Sequence, residues 1–260
     1  MASLRAPSLH PGLPSAGLSS AGRAFPQATF SQEQPSVLPL EIEPLNALLP
    51  AGGLMQGGLV ELSVVGSGAL ATTFALAACV SAQKHPTLQG GLPAWCAFID
   101  PSCTLYAPGV AAAGVLLERL LVVRPSVEAL ARTAVRIVES RAFALVVVDT
   151  FGALGAELGV KLGTWPRVVR RLTLSLEGLK STVLLITDAA ARRPLPLPVA
   201  QRIELAHPQR DMVSLRVVKD RYGRIGPERV IQWPPSNTSP QGSRLRKSGH
   251  ASLSLVQHAS

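Results

Sequence analysis

Five short runs of apolar residues recur through the middle of the chain, and they constrain its fold more than any other feature. Most of the runs are apolar at consecutive positions rather than at alternate ones, which is typical of strands buried on both faces of a sheet. The five runs are residues 60–65, 95–100, 120–123, 144–149 and 182–187. Helical segments lie between them, at residues 72–83, 126–140 and 164–180. Strands that alternate with crossover helices predict a parallel sheet with helices on both faces.

The segment at residues 126–140 has several sequence features of a helix. Ser126 stands where a serine often caps the start of a helix. Apolar residues recur on one face of the segment, as in a helix that packs on a sheet. Glu128, Arg132 and Arg136 follow one another at four-residue spacing on the other face. That spacing favours ion pairs along a helix.

The last third of the chain changes character. Its apolar stretches are short and partly alternating, at residues 202–206, 214–219 and 228–233. They predict antiparallel hairpins added to the parallel sheet. A chain of 260 residues is long enough for one such α/β domain with tails. We therefore predict a core at residues 37–233 between two tails, 1–36 and 234–260, whose Pro, Ser, Ala and Gly content predicts disorder.

Charge is unevenly distributed along the chain, whose formal net charge is +9. Only 16% of the residues are charged and 47% are hydrophobic, which suits a buried sheet and excludes a largely disordered chain. Residues 1–32 and 234–260 contain no acidic residue and supply five of the positive charges, namely Arg5, Arg23, Arg244, Arg246 and Lys247. A basic chain of this kind favours anionic partners, nucleic acid first. The alternative is that the excess of basic residues serves solubility or reflects codon bias.

Cysteine content and hydropathy bear on the compartment. Cys79, Cys96 and Cys103 show no metal-ligand spacing, and the apolar surroundings of the first two suit free thiols in a reducing cytosol. Residues 62–83 lack charge and are long enough to span a bilayer, but their small and polar residues favour a strand–turn–helix. The N-terminal stretch resembles a transit peptide in composition, although its prolines favour a plain tail. We expect a cytoplasmic bacterial protein with no membrane partner.

A glycine-rich turn follows the first apolar run, at the position of a phosphate-binding loop. Such a loop needs glycines whose N–H groups surround the phosphates, a lysine for the β- and γ-phosphates, and a Ser or Thr hydroxyl for Mg²⁺. Here the turn reads Gly66-Ser67-Gly68-Ala69-Leu70-Ala71-Thr72-Thr73. Ala71 replaces the second glycine and Thr72 replaces the lysine, so that only the hydroxyl of Thr73 is retained. No lysine occurs between Glu61 and Lys84, so no change of register restores the motif.

The loss of the lysine weakens any nucleotide site at this turn. It removes a charge-assisted contact of about 1.5–3 kcal/mol to the polyphosphate and a group that stabilises the transition state of hydrolysis. A helix N-terminus formed by small residues still attracts anions, so weak nucleotide binding is the alternative. We expect instead that packed side chains fill the site, with Leu70 the first candidate.

An apolar run that ends on an acid lies downstream of the turn. Residues 144–149 end on Asp149, as a strand that provides a Mg²⁺ ligand does. An aspartate at the end of a strand also commonly caps the turn that follows. The order of the two segments therefore supports the fold more than it supports activity. The resulting nucleotide site, which we expect to be inactive, comprises Gly66, Ser67, Gly68, Thr72, Thr73 and Asp149.

From about residue 38 to residue 233 these segments resemble the RecA family. Residues 51–54 and 57–62 are similar to the start of the phosphate-loop strand of RecA proteins, and the closing strands resemble their C-terminal hairpins. Residues 105–109, Leu-Tyr-Ala-Pro-Gly, with residues 119–124 are similar to a segment of the ImuA group. These are RecA-like accessory proteins of bacterial translesion-synthesis cassettes. The resemblance implies a RecA-like α/β core.

The chain departs from the RecA pattern at three separate positions. Thr72 replaces the lysine of the phosphate loop. Ser102 stands where RecA proteins carry a catalytic glutamate, and Asp188 where they carry a nucleotide-sensing glutamine. The resemblance therefore implies an ATPase that no longer cycles. We expect no catalytic residue, no bound metal and no cofactor, with ATP and Mg²⁺ as the less favoured alternative.

Three clusters of basic residues are candidates for contact with DNA or with a protein partner. They comprise Arg167, Arg170 and Arg171, then Arg192 and Arg193, and finally Lys219, Arg221 and Arg224. In RecA-like proteins the regions of the first two clusters face DNA. The alternatives are a solvated helix face for the first cluster, a stiff proline-flanked docking loop for the second, and edge charges that prevent aggregation for the third.

The resemblance to the ImuA group implies a non-catalytic adaptor in DNA-damage tolerance. Such a protein would bind the Y-family-like protein ImuB and RecA, and through them assist an error-prone polymerase at lesions. Single-stranded DNA is a further candidate partner. Two alternatives stay open, namely a DNA-dependent ATPase with a non-standard phosphate loop and a cell-division inhibitor of the SulA type. The basic tails and the closing hairpins argue against the second.

Overall fold

The computed structural model describes residues 36–40, 42–66, 69–85, 92–152, 158–191, 196–209 and 211–233. A small antiparallel pair comes first, formed by β1 (Val37–Leu38) and β2 (Leu54–Met55) with the short helix α1 (Glu43–Asn46) between them. The main sheet contains β3 (Leu59–Val65), β4 (Cys96–Ile99), β5 (Leu120–Val123), β6 (Leu145–Asp149), β7 (Thr182–Asp188), β8 (Gln201–Gln209), β9 (Met212–Asp220) and β10 (Arg229–Gln232). Its helices are α2 (Ala69–Lys84), α3 (Ala107–Ala112), α4 (Val127–Glu139) and α5 (Trp165–Ser175), with 3-10 turns at Pro50–Gly52, Leu117–Arg119 and Leu162–Thr164.

The eight strands of the main sheet lie in the order β10-β9-β8-β3-β7-β6-β4-β5. From β8 to β5 all neighbours are parallel. In contrast, β9 pairs antiparallel with both β8 and β10. The predicted α/β fold, a mainly parallel sheet flanked by helices with C-terminal antiparallel strands, is therefore confirmed.

Each face of the sheet has its own hydrophobic core, because successive strand residues point to opposite faces. On one face Phe74 of α2 packs in a cluster with Phe98 of β4. On the other face Leu130 of α4 and Leu172 of α5 pack in a cluster with Ile99 of the same strand. Burial on both faces explains why the strands are apolar at consecutive positions. Each such side chain contributes about 1.5–3 kcal/mol to stability.

Some element boundaries differ from the sequence-based predictions. α2 begins at Ala69, three residues before the predicted start. α5 ends at Ser175 rather than at residue 180, and Gly178 follows it with a φ of +73°. The prediction that every strand is buried on both faces was wrong for β5. This strand lies at the edge of the sheet, and its Leu121 and Val122 are 40% and 37% exposed.

The charged face of α4 also differs from its prediction. Ser126 precedes the helix as predicted, but its side chain makes no hydrogen bond to the helix backbone. The Glu128 carboxylate accepts from its own backbone N–H and from the Ser126 hydroxyl, and these bonds lower the pKa of Glu128. Among the residues that the structure describes, neither Arg132 nor Arg136 forms an ion pair. Both guanidinium groups therefore remain available at the surface.

The uncharged segment 62–83 forms the end of β3 and most of α2, in agreement with the predicted strand–turn–helix. None of the helices in the described part of the chain is both long and apolar enough to cross a bilayer. The thiols of Cys79, Cys96 and Cys103 are free, and the first two are buried in the core on the α2 face.

A buried ion pair joins the central strand β3 to β8. Glu61 has no exposed surface, and its Oε2 accepts a hydrogen bond from Arg202 Nε at 2.6 Å. Its Oε1 accepts a hydrogen bond from the Thr187 hydroxyl of β7 at 2.9 Å. Burial and the nearby Arg202 lower the pKa of Lys219 on β9, while Glu61 acts in the opposite direction. One carboxylate therefore connects three neighbouring strands.

Replacement of Arg202 by methionine tests this pair. Removal of one partner from a buried ion pair leaves an uncompensated charge, so we expect the free energy of unfolding to fall by about 3 kcal/mol. Urea unfolding followed by circular dichroism measures the loss. The control Arg171→Met breaks an exposed pair with Glu139, whose side chains are 64% and 40% exposed, and should cost less than about 1 kcal/mol. Equal losses in the two variants would contradict the assigned role of Glu61.

Candidate functional site

The carboxyl ends of four parallel strands lie along one edge of the sheet. β3 ends at the glycine turn, and β7, β6 and β4 lie beside it in that order. Asp188 ends β7, Asp149 ends β6 and Asp100 follows β4. This edge is where ligands bind in open α/β sheets. The fold therefore brings the predicted phosphate-loop turn, the predicted Mg²⁺-binding aspartate and the altered RecA positions to one edge.

Gly66 turns the chain out of β3. Its φ of +88° lies in the left-handed region, which side chains other than glycine rarely adopt. A Cβ atom placed on Gly66 would meet nothing within 4 Å, so the backbone conformation rather than the available space requires glycine here. Ser67 and Gly68 of the predicted loop lie outside the described residues.

The start of α2 is packed into the core. Leu70 and Ala71 are 4% and 1% exposed and belong to the cluster on the α2 face. Thr72, at the position of the missing lysine, is half-buried, whereas Thr73 is exposed. The two residues that precede the lysine position therefore anchor the first turn of the helix in the hydrophobic core.

Asp149 is 4% exposed, and its carboxylate closes the turn that follows β6. Its Oδ1 accepts hydrogen bonds from the backbone N–H groups of Phe151 at 2.9 Å and Gly152 at 2.8 Å. Burial raises the pKa of Asp149, the two N–H groups lower it, and the carboxylate of Asp100 raises it again. The resulting pKa lies above the ordinary value of an aspartate.

Asp100 organises the turn after β4 in a similar way. Its Oδ1 accepts a hydrogen bond from the Ser102 hydroxyl at 2.7 Å, and its Oδ2 accepts one from the backbone N–H of Leu105 at 2.9 Å. The Nε of Arg124 lies 3.9 Å from Oδ2. Ser102 also shares a hydrogen bond of 2.8 Å with the Thr104 hydroxyl. The residue at the glutamate position of RecA proteins is thus part of a hydrogen-bonded turn.

Asp188 closes the third turn at this edge. Its Oδ1 accepts a hydrogen bond from the backbone N–H of Ala190 at 2.8 Å. Beside it the Thr150 hydroxyl donates to the carbonyl oxygen of Ile186 at 2.6 Å, which ties the end of β6 to β7. In the described part of the chain no group of three or more His, Cys, Asp or Glu side chains is placed to hold a metal ion.

The basic candidates on α5 are all at the surface. Arg167, Arg170 and Arg171 are exposed, and Arg171 forms an ion pair of 2.9 Å with Glu139 of α4. Arg192 and Arg193 lie outside the described residues. Within the first cluster, Glu139 therefore neutralises the charge of Arg171. Arg167 and Arg170 have no ion-pair partner among the described residues.

The third cluster does not form one free basic patch. Asp220 accepts two hydrogen bonds from Arg224, at 3.1 and 2.9 Å, and the Arg224 guanidinium lies 5.2 Å from the centre of the Tyr222 ring. Lys219 lies near the buried Glu61 pair instead, and Arg221 is exposed in the turn after β9. Lys219 and Arg221 are exposed, whereas Arg224 is half-buried.

The sequence reasoning missed the ion pair of Glu61 with Arg202. The signal was present, because Glu61 is the only charged residue in the apolar strand Leu59–Val65. An acid at such a position requires a partner, since an unpaired buried charge is costly. The identity of that partner depends on the pairing of β3 with β8, which the local sequence does not specify.

The fold and its carboxyl edge define a class of protein. A strand that passes through a glycine turn into a helix, beside parallel strands that end on aspartates, is the arrangement of α/β nucleoside-triphosphate-binding cores. In this chain the lysine of such cores is replaced by Thr72.

The family can be stated more closely. The family model of the RecA N-terminal domain matches residues 32–164, which is half of the chain. The chain therefore belongs to the RecA family, as its resemblance indicated. No curated protein matches it. Membership of the ImuA group stays a prediction that rests on residues 105–109 and 119–124.

The variant Asp149→Asn tests the raised pKa of Asp149. Asparagine retains an oxygen that accepts from Phe151 and Gly152, but it carries no charge. The folded state holds the Asp149 proton more tightly than the unfolded state does. The wild-type protein therefore loses stability as the pH rises above 3.8, the ordinary pKa of an aspartate, and through the raised pKa of the folded state. We expect the variant to gain stability over the wild type between about pH 3 and pH 7. Urea midpoints at both pH values measure this gain, and a pH-independent difference would contradict it.

Proposed function

We propose that this chain is a non-catalytic RecA-like adaptor in DNA-damage-induced mutagenesis, of the kind that the ImuA group represents. In this role it binds the Y-family-like protein ImuB and RecA, and through them assists an error-prone DNA polymerase at lesions. Single-stranded DNA is a further candidate partner through the exposed arginines of α5. The proposal includes no cofactor and no catalytic residue.

The state of the carboxyl edge is the observation that carries the proposal. Asp100, Asp149 and Asp188 each accept backbone N–H groups of the turn that follows their own strand. Ser102, at the glutamate position, donates its hydrogen to Asp100. Phosphoryl transfer from ATP requires a residue that positions the attacking water and cations that neutralise the phosphates. The described polar groups at this edge hold turns in place, and Thr72 and Ser102, at the lysine and glutamate positions, do not fit that requirement.

The start of α2 supports the same conclusion. Thr72 cannot supply the positive charge that a lysine gives to the β- and γ-phosphates, which is worth about 1.5–3 kcal/mol in binding. Ala71 is buried in the core where the motif has its second glycine, so its methyl group has become part of the packing between helix and sheet. The turn is retained because Gly66 connects the central strand to its helix.

The segment that carries the ImuA resemblance lies at the surface. Tyr106, which precedes α3, is 70% exposed. Leu116 and Leu117 are 38% and 43% exposed nearby in the chain, just before the edge strand β5. Large apolar side chains at the surface are typical of protein-binding sites. Their exposure supports a role in partner binding for this part of the chain.

Nucleotide binding and turnover test the loss of catalysis. We expect phosphate release from Mg²⁺-ATP to equal that of buffer, with or without single-stranded DNA. The variant Thr72→Lys restores the family lysine and should tighten nucleotide binding about tenfold or more in calorimetry. It should still not hydrolyse ATP, because Ser102 occupies the glutamate position. Release that is stimulated by single-stranded DNA and abolished by Asp149→Ala would establish the ATPase alternative.

Capture of purified ImuB and RecA on the immobilised chain tests the partners. We expect both proteins to be retained at about micromolar concentration, and retention of neither would overturn the proposal. The variant Tyr106→Ser should weaken the capture of at least one partner about tenfold, because it removes an exposed aromatic anchor. The matched control Tyr222→Ser alters a tyrosine that is 51% exposed in the turn after β9 and should bind as the wild type does.

A further inference from the structure

A groove runs along the surface between α4 and α5. Its volume is about 490 Å³. Arg132 and Arg136 of α4 and Arg167 and Arg171 of α5 line it, together with the aliphatic side chains of Val135 and Val168. We name this feature the α4–α5 groove. It combines an apolar surface with basic side chains from both helices.

The charge of the groove is strongly positive. Within the described part of the chain, Glu139 is the only acidic residue that lines it, and this side chain pairs with Arg171 at 2.9 Å. Arg132, Arg136 and Arg167 have no ion-pair partner in the described part of the chain. Four arginines and one glutamate leave a net charge of +3. The groove therefore attracts an anionic partner.

The apolar residues distinguish between two classes of anionic partner. Ala131 and Val168, which both line the groove, are half-buried, so aliphatic surface is present between the arginines. Among the residues that the structure describes, no aromatic side chain lines the groove. Proteins that bind single-stranded nucleic acid commonly stack bases on aromatic side chains, and this groove provides none. Acidic side chains on an amphipathic helix, with aliphatic anchors on its other face, match both features.

The position of the groove separates it from the degenerate phosphate loop. Because α4 connects two parallel strands, it runs back from the carboxyl edge of the sheet to the amino edge. The groove lies along the second half of α4, from Arg132 to Glu139. The seven helical steps from Arg132 to Glu139 correspond to about 10 Å, which accommodates about two turns of a bound helix. Two anchors, three or four residues apart, fit that length.

We propose that the α4–α5 groove binds an acidic, amphipathic helix of a protein partner. Two apolar residues of that helix pack on Ala131 and Val168. Aspartates or glutamates on either side of them pair with Arg132, Arg136 and Arg167. This binding mode rests on the proposed adaptor function, for which it defines one docking surface, and it requires no nucleotide.

A designed peptide tests the groove directly. The probe is a fluorescein-labelled peptide of about 14 residues with leucines at helical spacing and glutamates elsewhere, and its control carries lysines in place of the glutamates. Fluorescence anisotropy with the full chain should show binding of the acidic peptide only. The double variant Arg132→Glu/Arg136→Glu should weaken that binding about tenfold or more. The single variant Arg167→Ala, which changes one exposed side chain, should weaken it less.

A control variant with the same change in net charge as the groove variant shows whether net charge alone affects peptide binding. The double variant Lys161→Glu/Lys180→Glu alters two exposed lysines outside the groove and should leave peptide binding unchanged. Equal affinity of wild type and Arg132→Glu/Arg136→Glu, or no binding at about 100 µM peptide, would overturn the proposal. The proposal would also be overturned if the chain bound labelled oligothymidine but not the peptide, and if Arg132→Glu/Arg136→Glu abolished the oligothymidine binding. Because the peptide test contains neither ImuB nor RecA, its result is independent of the capture experiment. Peptide binding can fail while capture succeeds, and capture can fail while peptide binding succeeds.

Discussion

The pairing of β3 with strands on both sides is the constraint on which the rest of the structure depends. β3 lies between β7 and β8, and Glu61 connects all three through Thr187 and Arg202. This placement fixes the glycine turn at the carboxyl edge and sets the neighbouring aspartates beside it. It also joins the parallel sheet to the antiparallel strands β9 and β10 through β8. In the register of β3 with β8, the buried carboxylate lies opposite Arg202, its guanidinium partner.

The order of elements along the chain was predictable from the sequence, because consecutive apolar positions and helical periodicity are local properties. The glycine turn and Asp149 were found in the same way, through the residue types that a phosphate loop requires. The edge position of β5 was not predictable, since apolar periodicity does not reveal which strand lacks a neighbour. The pairs of Glu61 with Arg202 and of Arg171 with Glu139 depend on contacts between distant segments, and sequence spacing gives no measure of those.

The carboxyl edge keeps the strand and turn geometry of a nucleotide-binding core, although Thr72, Ser102 and Asp188 replace three polar residues of the RecA pattern. The strands still end where a phosphate would be held, and Gly66 still adopts the left-handed conformation of the turn. The aspartates, however, accept N–H groups from their own loops, and Leu70 and Ala71 are part of the core. These hydrogen bonds and this packing stabilise the turns at the carboxyl edge.

The position of β3 has a consequence for synthesis of the protein. Both of its sheet partners lie more than a hundred residues further along the chain, since β7 begins at Thr182 and β8 at Gln201. During translation β3 and α2 leave the ribosome long before either partner exists, and their apolar side chains remain uncovered for that time. Contacts of such high sequence separation also slow folding. The first half of the nascent chain thus exposes apolar surface of the kind that aggregates or that chaperones cover.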